Sequence, residues 1–278
     1  MLQQTTLALI RAFVPALVAT VLVGVAGCET VQTTQSGAVG VTRKQRMLVS
    51  EEEVEKGAET AYAQEKQKAQ TEGNLNANSA LTSRVRNVSQ RLIPGTGVFR
   101  SDAPNWPWEV NTLSTKELNA YCMPGGKIMV YSGLVEQLNL SDAEMAAVIG
   151  HEMAHALREH SRERISRAYA QQIALAGVAV VTGAGGAAMD LANSVASVTF
   201  QLPHSREQES EADTIGLELM ARAGYDPNAA VSVWKKMLAA NQGGTPQFMS
   251  THPSPQTRIQ DLQALVPKVM PLYERSKS

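Results

Sequence analysis

The stretch Ser141-Asp142-Ala143-Glu144-Met145-Ala146-Ala147-Val148-Ile149-Gly150-His151-Glu152-Met153-Ala154-His155 decides how the rest of the chain is read. Ser141 followed by Glu144 is a capping box, in which each side chain satisfies an amide that the first helical turn leaves bare. His151 and His155 then lie four residues apart, hence about 40° apart in projection and roughly 6 Å along the axis. Both ring nitrogens can approach one ion at about 2.0–2.1 Å, the bond length of zinc to imidazole. Glu152 sits about 60° round from His155, near that ion without being a natural ligand. It is a carboxylate placed to take a proton from water. Gly150 and Ala154 are small, which suits close approach of another backbone. This helix is expected to continue through His160 to about Arg167.

A catalytic zinc usually has three protein ligands and a fourth position left for water. The third is expected on another element, and Ser205-Arg206-Glu207-Gln208-Glu209-Ser210-Glu211-Ala212-Asp213 is the leading stretch. Glu209 and Asp213 share a helical face, so one can bind the ion while the other holds a ligand histidine by its second nitrogen. On the residues alone, Glu207, Glu209 and Glu211 all stay open as the ligand.

Around these two stretches the pattern is mostly helical. Ser50 and Glu53 form a capping box opening a helix to about Gln70. Leu81, Val85, Val88 and Leu92 mark an amphipathic helix over 78–93, ended at Pro94-Gly95. Trp108–Leu113 and Lys127–Tyr131 read as strands joined through Met123-Pro124-Gly125-Gly126, implying a small antiparallel sheet. The nearly uncharged stretch 172–199, broken at Thr182-Gly183-Ala184-Gly185-Gly186, reads as two short apolar helices that are buried or form a lid. Further helices are expected over 205–223, from Asp226-Pro227 to about Ala240, and after Ser254-Pro255. The fold class is α+β, mainly α.

The N-terminus has another purpose. Residues 12–27 are apolar with small residues near the end, a secretory signal pattern and too short for a membrane span. Val25-Ala26-Gly27-Cys28 resembles the lipobox of bacterial lipoproteins, with cleavage before Cys28 and lipid on its sulfur. Glu29 in place of Asp points by analogy to the outer membrane. Residues 1–27 are thus expected as signal peptide, 28–47 as a lipidated polar tether, 48–268 as the catalytic domain and 269–278 as a tail. Lipidation of Cys28 leaves Cys122 as the single thiol, so no intramolecular disulfide forms. With 25 Lys plus Arg against 26 Asp plus Glu, nothing in the charge balance argues for a nucleic-acid partner. The 278 residues, 44% apolar and only 5% aromatic, support a helix-rich core.

Four motifs occur in order: Asn119-Ala120-Tyr121 with Pro124-Gly125-Gly126, Gly150–His155, Ser205-Arg206 through Glu209 to Ala212-Asp213, and Thr251-His252-Pro253. Together they resemble the HtpX, BepA and LoiP class of bacterial zinc metallopeptidases, gluzincins related to the CAAX prenyl proteases, over roughly residues 50–265. The resemblance implies one Zn2+ per chain, held by His151, His155 and Glu209, with Asp213 behind a ligand and Glu152 as general base. It implies peptide hydrolysis of unfolded or misassembled envelope proteins at the periplasmic face, with outer-membrane assembly machinery as a partner. A periplasmic chaperone with little or latched protease activity is the rival. HtpX itself has several transmembrane helices that this chain lacks, so a lipid-anchored form fits better.

Several residues are assigned more loosely. The strand at Ile128, Met129 and Val130 is expected to pair with an extended substrate, and Asn119 to hydrogen-bond its backbone. His252 is open between an oxyanion donor, a fourth zinc ligand and a cap of the following helix. Arg258 is expected to contact substrate or a carboxylate, and His160 and His204 to lie at the surface or behind the ligands.

Overall fold

Two glycines set the architecture. In the computed structural model, which describes residues 29–182, 190–240, 247–253 and 256–277, the helix Asp142–Leu157 crosses the helix Arg206–Arg222 at Gly150 and Gly216. A Cβ on Gly216 would come within 2.7 Å of the His151 amide nitrogen, and one on Gly150 within 3.0 Å of the Gly216 carbonyl. The backbones touch, as the small residues beside the histidine motif suggest. Both helices open on formed capping boxes, Ser141 with Glu144 and Ser205 with Gln208. From Glu144 to Leu157 every residue of the first helix is buried.

In chain order the elements are β1 (Glu29–Val31), β2 (Gln45–Met47), α1 (Glu51–Thr71), α2 (Ser79–Leu92), β3 (Glu109–Leu113), β4 (Ala120–Met123), β5 (Lys127–Tyr131), α3 (Ser132–Gln137), α4 (Asp142–Leu157), α5 (His160–Thr182), α6 (Leu191–Phe200), α7 (Arg206–Arg222), α8 (Asn228–Ala240), α9 (Gln247–Thr251) and α10 (Gln256–Arg275). The mainly α class with a small sheet stands. The main core joins the inner faces of α2, α4, α7, α8 and α10 to the sheet, with Leu92, Ile128, Met153, Ile215 and Val269 among its least exposed side chains. A second apolar cluster lies where α1 and α6 pack on the sheet, around Tyr62, Met123, Met129 and Val195.

The sheet corrects the expected pairing. Its order is β3-β5-β4, with β3 parallel to β5 and β4 antiparallel to it. The hairpin partner of β5 is β4, folded back through Gly125 and Gly126 at φ +74° and +77°, a conformation glycine adopts without steric cost. Strand β3 pairs with the other side of β5 and so runs parallel. Ala120-Tyr121-Cys122-Met123 is buried at every position, so it lacks the alternation that signals a strand.

The motif helix also stops sooner than expected. It ends at Leu157, Glu159 turns at φ +52°, and α5 starts afresh at His160. The Arg158 carbonyl at this break accepts hydrogen bonds from Gln45 Nε2 at 2.7 Å and Thr33 Oγ1 at 3.3 Å, so the chain ends a helix in the interior without orphaning that group. Over 172–199, the first apolar piece is the distal part of the long α5 and the second is α6, capped by Asp190 and packed on α1. No helix among the described residues is long and apolar enough to cross a membrane.

Both domain edges move. Residues 29–47 are not a solvated tether: β1 pairs antiparallel with β2, and Thr33, Thr34, Val39, Gln45 and Met47 are buried. Their polar side chains are inside because they satisfy buried charges, which composition does not reveal. At the other end α10 runs on to Arg275 with Val269 and Leu272 buried, so the expected tail is largely core helix. The signal peptide, Cys28, the glycine break at 183–186 and Ser254-Pro255 lie outside the described residues. Cys122 is a free, buried thiol.

Candidate metal centre

The α4–α7 crossing brings His151 and His155 against Glu209 and Asp213, and the end of α9 adds His252. His151 Nε2 lies 3.1 Å from His155 Nε2 and 3.3 Å from His252 Nδ1. Glu209 Oε1 lies 3.0 Å from His252 Nδ1 and 3.4 Å from His155 Nε2, and Oε2 lies 3.6 Å from His151 Nε2. A tetrahedral ion bonded at about 2.0–2.1 Å spaces its ligands roughly 3.3–3.4 Å apart. The donor atoms therefore have the chemistry and the spacing for one zinc-like ion. Of the three acidic candidates, Glu209 alone faces His151, His155 and His252. Glu207 is exposed, and Glu211 binds His160 and two arginines instead.

Charge is arranged to keep these donors competent. Burial holds the His155 imidazolium well below its usual range, leaving the neutral ring a ligand requires. Burial alone would push Glu209 up; the neighbouring His252, hydrogen bonds with His155 and His252, and the Arg258 charge hold it well below the carboxylate range instead. Burial alone would raise Asp213, but the charge and hydrogen bonds of Arg258, with His151, bring it below its ordinary value. Arg258 reaches both acids, at 2.6 Å to each Asp213 oxygen and 2.5 Å to Glu209 Oε2, and lies over the Trp234 ring at 3.7 Å. Of its two expected roles it takes the carboxylate one. Asp213 Oδ1 lies 3.0 Å from His151 Nδ1, close though not aligned as a hydrogen bond.

Among the described residues, two buried side-chain atoms make no hydrogen bond: His151 Nδ1 and Glu152 Oε1. The Glu152 oxygen has His252 Nε2 3.5 Å away. Burial raises this carboxyl above its ordinary value, against the pull of His252 and His151. A buried carboxylate oxygen without a hydrogen bond costs free energy, which a catalytic role at this position explains.

His252 is 3% exposed and lies between the rings of Phe248, at 4.5 Å and 21°, and His204, at 4.8 Å and 23°. His160, fully buried, contacts His155 through Nδ1 at 2.8 Å and Glu211 through Nε2 at 3.0 Å. Sequence reasoning missed Phe248, Trp234, Arg158 and Arg43, and it weighed Glu211 only as a metal ligand. Phe248, Trp234 and Arg43 lie far from the motif in sequence, and a charged Arg158 just past it reads as solvated, so only the fold reveals them.

The substrate residues are redistributed. Ile128, Met129 and Val130 occupy the inner strand, bonded on both sides, so they cannot take a further strand. The strand beside α4 with an unpaired edge is β4. Asn119, at its start, is buried, accepts from Tyr131 N through its carbonyl and from Ala120 N through its side chain. It also lines a cavity of about 590 Å³ with Glu65, Tyr131, Phe200 and Gln247.

Comparisons agree with this geometry. The family profile described as peptidase family M48 matches residues 79–266. The chain is similar to the mitochondrial metalloendopeptidase OMA1 of Schizosaccharomyces pombe, 35% identical over 198 residues, covering 69% of this chain and 55% of that protein. The counterpart in Saccharomyces cerevisiae is 31% identical over 208 residues, covering 70% and 59%. Metalloprotease YcaL of Escherichia coli is 25% identical over 193 residues, covering 68% and 74%. The chain thus spans little more than half the length of the two mitochondrial relatives.

Proposed function

The chain belongs to peptidase family M48, and on that premise we propose that it is a zinc-dependent endopeptidase of the bacterial cell envelope, acting on unfolded or misassembled envelope proteins. One observation carries the reading: the unpartnered Glu152 oxygen beside the His151–His155–Glu209 donor set. When bound, zinc supplies a Lewis acid that acidifies water and polarises a carbonyl.

The chain's residues account for the rest. Glu152, its carboxyl raised above the ordinary value by burial, takes a proton from water and returns it to the leaving amine. Arg258 locks Glu209 and Asp213, so the donor face stays fixed while substrate enters. An extended substrate adds to the outer edge of β4, where backbone pairing would set its register. Lipid on Cys28 holds the protein at the periplasmic face of the outer membrane, and the clients themselves, with assembly machinery there, are its partners. Mass spectrometry of the mature N-terminus checks the anchor; an intact Met1 overturns it.

His252 supports a second reading. Its Nδ1 lies among the donor atoms at fourth-ligand spacing, which favours a client-binding factor whose protease is closed until the 247–253 segment moves. Cleavage of an unfolded casein by the full chain separates the readings. Wild type is expected to cleave, chelator to abolish cleavage, and Glu152→Gln to lose about 10²–10⁴-fold with zinc retained. Glu152→Gln as active as wild type sinks the endopeptidase reading. Zinc retained without cleavage in any sample, with casein aggregation suppressed, favours the second.

A further inference from the structure

We propose that His160 and Glu211 form a positioning relay that orients the ring of the metal ligand His155, and that residues 33–45 complete it. This rests on the metal reading above. A histidine that offers Nε2 to a metal carries its proton on Nδ1, and the partner of that proton fixes tautomer and ring angle. For His151 the group nearest Nδ1 is the Asp213 carboxylate, at 3.0 Å. For His155 it is another histidine, His160, whose Nδ1 lies 2.8 Å from His155 Nδ1.

Only one assignment of protons satisfies this line. His155 Nδ1–H donates to His160 Nδ1, which must be bare. The His160 proton is then on Nε2, 3.0 Å from Glu211 Oε2. The opposite tautomer of His160 would set two N–H groups against each other and face a lone pair to a carboxylate. The carboxylate that usually stands directly behind a ligand histidine is thus displaced one residue back, with an imidazole interposed.

Glu211 is itself immobilised. Arg158, fully buried, reaches its two oxygens at 3.2 and 3.1 Å, and Arg43 reaches them at 2.8 and 3.0 Å. Arg158 also donates to Thr33 Oγ1, Thr34 Oγ1 and the Arg43 carbonyl. The orientation of a ligand on α4 therefore depends on side chains more than a hundred residues earlier in the chain.

The test uses the full chain and two measurements. Two-bond nitrogen–proton spectra of the histidines in zinc-loaded wild type are expected to show His160 as the Nε2–H tautomer. Zinc affinity, by competition with a chelating dye, is expected to fall roughly 10–100-fold in His160→Ala and in Glu211→Gln. His160→Asn, whose Oδ1 can replace Nδ1 as acceptor, should recover part of it. Glu207→Gln, exposed on the same helix, should stay within about twofold of wild type. An Nδ1–H on His160, or affinities of both relay variants within about twofold of wild type, overturns the relay. The spectra need no variant, so a misfolded mutant leaves the proposal decidable. Wild type that takes up no zinc refutes the metal reading itself, a separate result.

Discussion

The donor cluster is gripped from two sides by different means. Behind His155 stands a line of ionic contacts: His160, Glu211, Arg158 and Arg43, then Glu163, which also accepts from Gln45 and Gln208. Around His252 stand rings, with Phe248 on one face and His204 on the other. The segment that carries His252 is attached by backbone bonds Phe248 N to Leu118 O and His204 N to Thr251 O, and by Gln247 Nε2 to Phe200 O. Three arginine–glutamate pairings, the one from Arg158 fully buried, cannot be parted without leaving charge in the interior. These three hydrogen bonds, those of His252 with Glu209 and of Arg258 with the Pro253 carbonyl, and the stack can part at a cost of about 0.5–1.5 kcal/mol per neutral bond and about 1.5–3 kcal/mol where a charge takes part. The first side is a fixture; the second is removable.

The largest expected effect tests the fixture. Arg158→Ala removes the fully buried cation of this line, leaving Glu211 to Arg43 and His160, and should destabilise the fold by about 3–5 kcal/mol in denaturant titration; a loss under about 1 kcal/mol would reduce the line to a surface-like pair. Next comes acid. Burial pushes the Glu163 carboxyl up, but hydrogen bonds from Arg43, Gln208 and Gln45 bring it down to about 2 from an ordinary 4.5. A depressed carboxylate contributes stability that is complete above the unfolded value and lost as pH falls to the folded one. Unfolding free energy should therefore drop by about 2–3 kcal/mol between pH 4.5 and 2 on its account. The drop should shrink in Arg43→Gln, and an unchanged slope there removes Arg43 from the cause.

Gly216→Ala probes what both sides share. Its new Cβ would meet His151 N at 2.7 Å, and separating α4 from α7 should cost about 1–3 kcal/mol of stability despite the better helix former. A stabilised variant would show the crossing to be slack. The smallest effect tests the removable side. His252→Ala takes a donor from the fourth position and should raise casein cleavage severalfold while the fold keeps its melting temperature. Lower activity would instead mark His252 as an oxyanion donor.

The first side was also the harder one to read from sequence. His151, Glu152 and His155 are legible because helical spacing alone brings them to one ion. Glu209 was narrowed from three acids only by resemblance, since a helix rich in carboxylates does not say which one faces inward. His252 was legible as a histidine of interest, but its depth was not. Arg43, Thr33 and Gln45 read as solvated tether because burial of polar groups depends on partners distant in the chain. The β3–β5 pairing was misjudged for a related reason: β4 is buried along its whole length and carries no strand periodicity.

The folding of residues 29–47 bears on reach. Strand β1 begins at Glu29, the residue after the proposed lipid site, so lipid on Cys28 would leave almost no slack. An extended chain gains about 3.3–3.6 Å per residue; a free tether of that segment would have let the catalytic face range tens of ångströms into the periplasm. Folded, and with the proposed lipid on Cys28, it would hold the domain flush against the bilayer. The enzyme would then sample a thin shell at the membrane surface, and a client would be selected by where it stalls before any side chain is read.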